Sequence, residues 1–186
     1  MNRICWLLSL LLLLQGCSSE NRELESAMKF RESLLAAQSC SFVAEVTADY
    51  GDSLNQFRMG CRSDSSRKTE FEVLAPETIA GIKGNISYSG GELTFDDTAL
   101  YFDLLTDDQL SPVSAPWIFL KALRSGYITS VCREESFLRV TVDDSYESDA
   151  LTLDVWFKED RVPVRADIFW DNRKILSLTV ENFAIL

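Results

Sequence analysis

In the stretch SFVAEVTADY, residues 41–50, every second residue is apolar. Its apolar face consists of Phe42, Ala44, Val46 and Ala48. A period of two is typical of a β-strand that packs one face on a core and leaves the other in solvent. The same alternation recurs in LNQFRMGCR (54–62) and in KTEFEVLAP (68–76). The three stretches therefore predict three antiparallel strands, joined by turns, with the third ending at Pro76.

Two other segments have helical periodicity. Residues 22–38, RELESAMKFRESLLAAQ, predict a helix that is capped by Asn21 and covers one face of a sheet. Its predicted buried positions are Leu24, Ala27, Met28, Arg31, Leu34 and Leu35. Residues 112–125, PVSAPWIFLKALRS, predict a second helix with Pro116 in its first turn. Because this helix is apolar nearly all round, we expect it to be covered on several sides, inside a curved sheet.

Short strands fill the rest of the chain. The middle contributes GIKGNISYSG (81–90), ELTFDD (92–97) and ALYFD (99–103), and five further strands follow between residues 127 and 183. The whole pattern predicts about 10 or 11 strands and two helices. There is no low-complexity linker, so residues 22–186 are predicted to form one domain.

The N-terminus has the organisation of an export signal. Arg3 precedes the apolar stretch 4–14, which is too short to span a bilayer as a helix, since that requires about 20 residues. The stretch ends in LQGC (14–17), which resembles the lipobox of bacterial lipoproteins. Residues 1–16 are therefore predicted to be a signal peptide, Cys17 the lipidated N-terminus and residues 18–21 a polar tether. An ordinary signal peptide is the alternative.

This interpretation implies an exported protein that is held by lipid and does not thread through the membrane. Lipid chains on Cys17 would anchor it to the outer face of the cytoplasmic membrane, or to an outer membrane in a Gram-negative cell.

Composition excludes several function classes. The chain has 18 Lys and Arg against 29 Asp and Glu, a net charge of −11, and removing Arg3 with the signal peptide makes it −12. So acidic a chain argues against nucleic-acid binding. There is no histidine, which removes histidine-dependent triads and the commonest metal ligand. Without histidine, catalysis would need Asp and Glu as acid and base, and these residues lie in turns or on strand exteriors. We therefore expect no catalytic residues, no metal site, no cofactor and no enzymatic activity.

The cysteines leave two alternatives open. Three follow the predicted anchor: Cys40, Cys61 and Cys132. If the first hairpin pairs Asp49 with Asp52, then Cys40 and Cys61 lie directly opposite each other and a disulfide becomes feasible. Free thiols are the other alternative, and a Cα separation above about 7 Å would exclude the bridge. Cys132 is predicted to be a buried strand residue.

The order of these elements resembles the LolA/LolB/LppX superfamily of exported lipoprotein-handling and lipid-binding domains. Three stretches carry the resemblance: FEVLAPE (71–77), SAPWIFLKAL (114–123) and LDVWFKEDRVPVRADIFWDNRKILSLTVENF (153–183). The resemblance implies a mainly β fold of the α+β kind. In it, a strongly curved antiparallel sheet forms an unclosed β-barrel with helices on its concave face. The lipobox departs from the soluble LolA-type carriers, and the chain also looks like GerS-type germination lipoproteins of spore-forming clostridia.

Two functions follow from the resemblance. The first is a membrane-anchored, GerS-like scaffold, accessory to a cell-wall amidase in spore-cortex modification and germination, that binds its partner through the acidic face and exposed strand edges. The alternative is a carrier or sensor of lipid or lipoprotein acyl chains. The candidate apolar-ligand face is Phe42, Val46, Phe57, Met59, Phe71, Val73, Ile82, Ile86 and Tyr88. The two functions differ in whether ligand or side chains fill the concave face, and a homodimer is left open.

Overall fold

The structure is a computed structural model that describes residues 17–186 except residues 50, 52, 96–97, 103–104, 107–108, 148–149 and 159–160. For residues 17–20, 105–106 and 109 only the backbone is described. The predicted signal peptide and the Asp96–Asp97 turn lie outside the described residues. In the described part of the chain, no helix combines the length and the apolar character that crossing a membrane requires.

Helices and strands alternate in long blocks. The helices are α1 (Cys17–Ala36) and α2 (Ala115–Ser125), with short 3-10 turns at Glu77–Ile79 and Pro112–Ser114. The first block of strands is β1 (Ser39–Asp49), β2 (Leu54–Asp64), β3 (Thr69–Ala75), β4 (Lys83–Ser87), β5 (Gly90–Phe95) and β6 (Thr98–Phe102). A small hairpin follows, β7 (Leu105–Thr106) and β8 (Gln109–Leu110). The last block is β9 (Tyr127–Glu134), β10 (Phe137–Asp143), β11 (Thr152–Phe157), β12 (Pro163–Trp170) and β13 (Arg173–Ile185).

Eleven of these strands form one antiparallel sheet. Its order is β6-β5-β4-β3-β2-β1-β13-β12-β11-β10-β9. Each block is a meander of neighbouring hairpins, and the pairing of β1 with β13 joins the two. Within the described residues the outer strands β6 and β9 do not pair with each other, so the sheet is open. The predicted mainly β fold, an unclosed and curved antiparallel sheet with two helices, is confirmed.

The sheet curves around α2. Phe119 in this helix is fully buried, and every residue from Ala115 to Leu120 is buried with it. At one side of the sheet the indole Nε1 of Trp117 donates to the carbonyl oxygen of Arg67 at 3.2 Å. Towards the other edge, Lys121 Nζ lies 2.9 Å from Asp144 Oδ2. One helix therefore reaches both meanders, which confirms the prediction that it is covered on several sides.

Helix α1 differs from its prediction in start and in buried face. It already includes residues 17–21, so the predicted tether, residues 18–21, is helical and Asn21 is not its cap. Residues 17–36 contain no Gly or Pro, so no helix-breaking residue prevents the helix from extending to the N-terminal side of Asn21. Ala27, Phe30 and Leu34 are its buried positions, whereas Leu24, Met28 and Leu35 are exposed. The buried stripe is narrow and follows Phe30, which the periodicity analysis left out.

The two helices are joined by an arginine. Arg31 Nε of α1 donates to the carbonyl oxygen of Leu123 at 2.8 Å, and its Nη2 lies 3.4 Å from that of Ala122. Both acceptors belong to the last turn of α2, where the carbonyl oxygen of Ala122 also accepts from the backbone N–H of Gly126 at 2.9 Å. A cation is also favourable there, because the C-terminal end of a helix carries partial negative charge. Arg31 thus fixes how α1 sits on α2.

Candidate functional site

Most of the predicted ligand face is packed core. Six of its nine residues are buried together: Phe42, Val46, Met59, Phe71, Val73 and Ile86. Phe57 and Ile82 are half-buried. Tyr88 is 58% exposed at the end of β4, and its ring packs edge-on to Trp117 with 5.2 Å between centroids. Side chains therefore fill the centre of the concave face where α2 lies over it.

Among the residues that the structure describes, nothing covers one end of the concave face. There Leu93 of β5 lies opposite Leu100 of β6, and Phe95 is the next residue along β5 on the same face. The exposed fraction is 53% for Phe95 and 61% for Leu100, and Leu93 is half-buried. We call these three residues the open-end patch. Such a set of neighbouring exposed apolar side chains on a core-facing surface is a candidate binding site.

The open-end patch continues the core surface. Gly91 of β5 pairs with Ile86 on one side and with Phe102 on the other, and Ile86 is fully buried. The ring of Phe102 lies over Gly91 so closely that a Cβ there would collide with it. The ring of Phe71 lies over Gly84 of β4 in the same way. Aromatic rings thus occupy the space above both glycines, and apolar surface runs from the core out to β6.

Sequence reasoning missed this patch although its signal was present. The alternation of Leu93 with Phe95, and of Leu100 with Phe102, indicates which residues share a face of each strand. It does not indicate which of the two faces is the concave one. That depends on the pairing of Ile86 with Gly91, which fixes the register of β5 on β4.

The predicted opposition of Cys40 and Cys61 is wrong. Asp49 pairs with Leu54, two residues further along than predicted, so Cys61 lies opposite Phe42 and Cys40 opposite Ser63. Both cysteines are free thiols in the structure. They are diagonal neighbours on one face, and such positions have Cα atoms about 7–8 Å apart, beyond the usual reach of a disulfide. The wider turn after Asp49 is the physical reason for the shift.

Burial sets the chemistry of these thiols. Burial, with a smaller contribution from Cys40, raises the pKa of Cys61 from 9.0 to about 12. Burial also raises the pKa of Cys40, partly opposed by the nearby Arg124 guanidinium. Arg124 Nη2 lies 3.8 Å from Cys40 Sγ, and Nη1 donates to Ser63 Oγ at 3.0 Å. Both groups are thus held as neutral thiols, which are poor nucleophiles.

Thiol labelling should follow burial. Cys40 is fully buried, Cys61 is 5% exposed and Cys132 is half-buried, so Cys132 is less shielded than predicted. With a maleimide at pH 8, we expect Cys132 to react in the native protein, and Cys40 and Cys61 only after unfolding. The pKa of Cys61 is about 12 in the folded protein and 9.0 for an ordinary thiol, so the folded protein keeps this proton more tightly than the unfolded chain does. The free energy of unfolding should therefore fall as pH rises from 9 towards 12. Rapid native labelling of Cys61, read by mass spectrometry of peptides, would contradict this picture.

The opposite, outer face carries a charged network. Asp154 of β11 lies directly across from Asp167 of β12, and Asp167 is only 4% exposed. Arg165 Nη2 holds Asp167 at 2.6 Å and Lys174 Nζ lies 3.5 Å away. Arg139 Nη1 lies 3.8 Å from Asp154. Each carboxylate thus has a cationic partner, and this part of the outer face is less solvated than the sequence suggested.

A groove of about 610 Å³ also lies on the outer face, across β1 to β5. Its lining mixes both charges, with Glu72 of β3 lying 3.7 Å from Lys83 of β4. Leu74 adds an exposed apolar side chain. In the described part of the chain, no three His, Cys, Asp or Glu residues are placed to hold a metal ion. The outer face thus offers charge pairs, whereas the uncovered apolar surface that continues the core lies at the open-end patch.

Comparison with known proteins gives distant structural likenesses alone. No protein family model and no curated protein matches the chain. Among solved structures, the chain is similar to an uncharacterized conserved protein from Thermus thermophilus (TM-score 0.48, 11% identity, covering 87% of this chain and 88% of that one).

Two further solved structures are similar to the chain at a comparable level. One is a LolA superfamily protein from Nitrosomonas europaea (TM-score 0.45, 7% identity, 86% and 93% covered). The other is the Mycobacterium tuberculosis lipoprotein LppX (TM-score 0.41, 12% identity, 87% and 93% covered). These similarities are too low to assign the chain to a family, and the GerS-type relationship stays a prediction.

Proposed function

We propose that this chain is a non-catalytic, exported lipoprotein that holds acyl chains on the open-end patch of its curved sheet. The observation that carries the proposal is the exposure of Phe95 and Leu100 on the face that elsewhere forms the core. Fully burying a Leu or Phe side chain is worth about 1.5–3 kcal/mol, so leaving two of them in water is costly unless something covers them. An acyl chain is apolar, flexible and without hydrogen-bonding groups, which suits a surface of this kind.

The charge of the protein supports an apolar ligand over a polar one. The three residues of the patch are uncharged in a chain of net charge −11. A ligand with an anionic headgroup would be repelled by the protein as a whole, so its apolar part must supply the affinity. Each buried methylene contributes about 0.8 kcal/mol, and several are needed to offset the cost of association.

The anchor supports a place at a membrane. Cys17 and the LQGC motif predict lipidation, and residues 17–21 are part of α1, so the folded domain follows the anchor without an extended spacer. A domain held this close to the bilayer meets acyl chains at high local concentration. Anchoring on the outer face of the cytoplasmic membrane, or on an outer membrane, follows from the same motif.

In the scaffold alternative, the binding surface is a different part of the protein. An amidase-like partner would bind the acidic outer face or a strand edge, and the open-end patch would have no role in it. Substitutions on the two faces of one strand therefore separate the alternatives.

The experiment uses Leu100 and Tyr101, which are adjacent on β6 and point to opposite faces. Leu100→Asp places a charge in the patch, whereas Tyr101→Asp places it on the outer face, where Tyr101 is 79% exposed. With cis-parinaric acid as a fluorescent acyl probe, we expect Leu100→Asp to weaken binding about tenfold or more, which corresponds to ~1.4 kcal/mol. Tyr101→Asp should stay within about twofold of the unchanged chain. Equal loss in both variants, or no binding by the unchanged chain, would overturn the proposal.

A further inference from the structure

Helix α1 has two apolar stripes. One is buried against the sheet around Phe30. The other faces solvent, and its side chains are Leu24 (40% exposed), Met28 (47%) and Leu35 (50%). We call these three residues the outer stripe. Single apolar residues are ordinary on a protein surface, but a row of three that the described residues leave about half exposed is a candidate contact site.

The outer stripe lies on one side of the helix. Successive residues of an α-helix turn by about 100°, so the spacings of four and seven residues bring its three positions within about 40° of one another. They span about 16 Å along the axis, or roughly three turns. Arg31 falls in the same sector, but its guanidinium donates to carbonyl oxygens in the last turn of α2. The outer stripe is therefore an uncharged strip, about 100° around the helix from the buried one.

The predicted anchor is on that side of the helix too. Residue 17 is part of α1 and lies seven residues, close to two full turns, before Leu24. The helix continues through this interval without Gly or Pro, so its periodicity carries from residue 17 to the outer stripe. By this register, position 17 and the outer stripe share one side of α1. A lipid attached to Cys17 would therefore bring a bilayer to the side on which the outer stripe is exposed.

We propose that α1 lies along the membrane surface, with the outer stripe inserted among the acyl chains just below the lipid headgroups. The proposal rests on the lipidation of Cys17, which belongs to the proposed function, and adds a second membrane contact to it. Helices with one apolar and one polar side bind bilayer interfaces in this orientation. The anchor alone fixes one point of the protein, whereas a stripe about 16 Å long fixes the direction of the helix. Because Phe30 and Arg31 hold α1 on the rest of the fold, the whole domain is oriented with it.

Charge is compatible with this contact although the protein is acidic. Residues 17–36 contain four Glu and three Lys or Arg, so α1 accounts for only −1 of the net charge of −11. Beside the outer stripe, Lys29 and Glu25 neutralise each other as an ion pair. The helix therefore meets no strong electrostatic barrier at a zwitterionic lipid surface. Lipid is also the occupant that the anchor keeps at hand, since tethering gives it a high local concentration at the stripe.

Fluorescent labels on two sides of α1 test the contact. The full-length chain with Cys132→Ser is processed by a bacterial host, labelled with an NBD maleimide at Leu35→Cys or Ser33→Cys, and reconstituted in phosphatidylcholine vesicles. Cys40 and Cys61 are buried and stay unlabelled. Both label positions are exposed, and they lie about 160° apart on the helix, each about 24–27 Å along the axis from residue 17. With a nitroxide on the lipid acyl chains as quencher, we expect Leu35→Cys to lose at least about twice as much fluorescence as Ser33→Cys.

A charge in the outer stripe gives a second test. Adding Met28→Asp to Leu35→Cys should remove most of the quenching, because a carboxylate keeps the helix out of the acyl region. Ser33→Asp adds the same charge on the polar side and should leave the quenching of Leu35→Cys unchanged. Since Met28 and Ser33 are both exposed, we expect each thermal midpoint to stay within about 2 °C of that of the unchanged chain. Equal quenching in the two variants would contradict the inference.

Mass spectrometry of the same protein separates this inference from the proposed function. A mass without lipid on Cys17 would overturn the lipoprotein proposal, and the docking with it. If the lipid is present, equal quenching at Leu35→Cys and Ser33→Cys, or none at either, overturns the docking alone. Shielding of the Leu35→Cys label that grows with protein density, without quenching by the nitroxide lipid, would identify a second copy as the occupant and would also overturn it.

Discussion

Replacing Phe119 by alanine should lower the free energy of unfolding by about 3–5 kcal/mol, the usual cost of a fully buried Phe→Ala change. Phe119 is 0% exposed at the centre of α2, and its ring centroid lies 5.8 Å from that of Phe42 and 6.5 Å from that of Phe183. Those two rings belong to the strands that join the meanders, so they have little freedom to collapse into the cavity. Urea unfolding should show a lower midpoint with an unchanged slope.

Phe95→Ala is the matched control. It makes the same chemical change in a side chain that is 53% exposed. Much less contact is lost there, so we expect a change below about 1 kcal/mol. If Phe119→Ala were as mild as Phe95→Ala, the packing of α2 inside the sheet would be wrong.

Phe30→Ala should cost about 3 kcal/mol and release α1. Phe30 is 5% exposed, and its ring lies 5.0 Å from Phe157 and 5.9 Å from Phe183. It is the one large aromatic residue that α1 buries in the described structure. Without it, the Arg31 hydrogen bonds to the end of α2 lose their support. Backbone amide hydrogen exchange should therefore quicken throughout α1 and in the last turn of α2.

Met28→Ala provides the comparison on the same helix. Met28 is 47% exposed, although the sequence predicted it on the buried face. Its removal should change stability by less than about 0.5 kcal/mol and leave amide exchange in α1 unchanged. A larger effect from Met28→Ala than from Phe30→Ala would restore the face predicted from periodicity.

Strand alternation made most of the fold predictable. The period of two around Phe42, Met59 and Phe71 placed these residues on one face, and all three are buried together. The unusual apolar character of residues 112–125 predicted a helix enclosed by the sheet, as the burial of Phe119 shows. Both signals are strong because each residue contributes independently to one periodic pattern.

Details that depend on the exact strand register, or on which face of a helix is buried, were not predictable. The Cys40–Cys61 opposition failed because the turn after Asp49 is two residues wider than assumed, and nothing in the local sequence fixes that width. The helical face of α1 failed because Phe30 and Met28 are both apolar and only tertiary packing chooses between them. The open-end patch was missed because exposure depends on which elements happen to lie above a strand.

The pairing of β1 with β13 has a kinetic consequence. Each meander consists of hairpins between neighbours in the chain, and such local contacts form early. The joining pair is different, since Cys40 meets Ile185 and nearly the whole described chain lies between them. Closing so long a loop is slow. Until it closes, β1 and β13 are themselves unpaired edges, so the nascent chain has more open edges than the folded protein. The greatest danger of aggregation therefore falls in the interval between synthesis and this final closure.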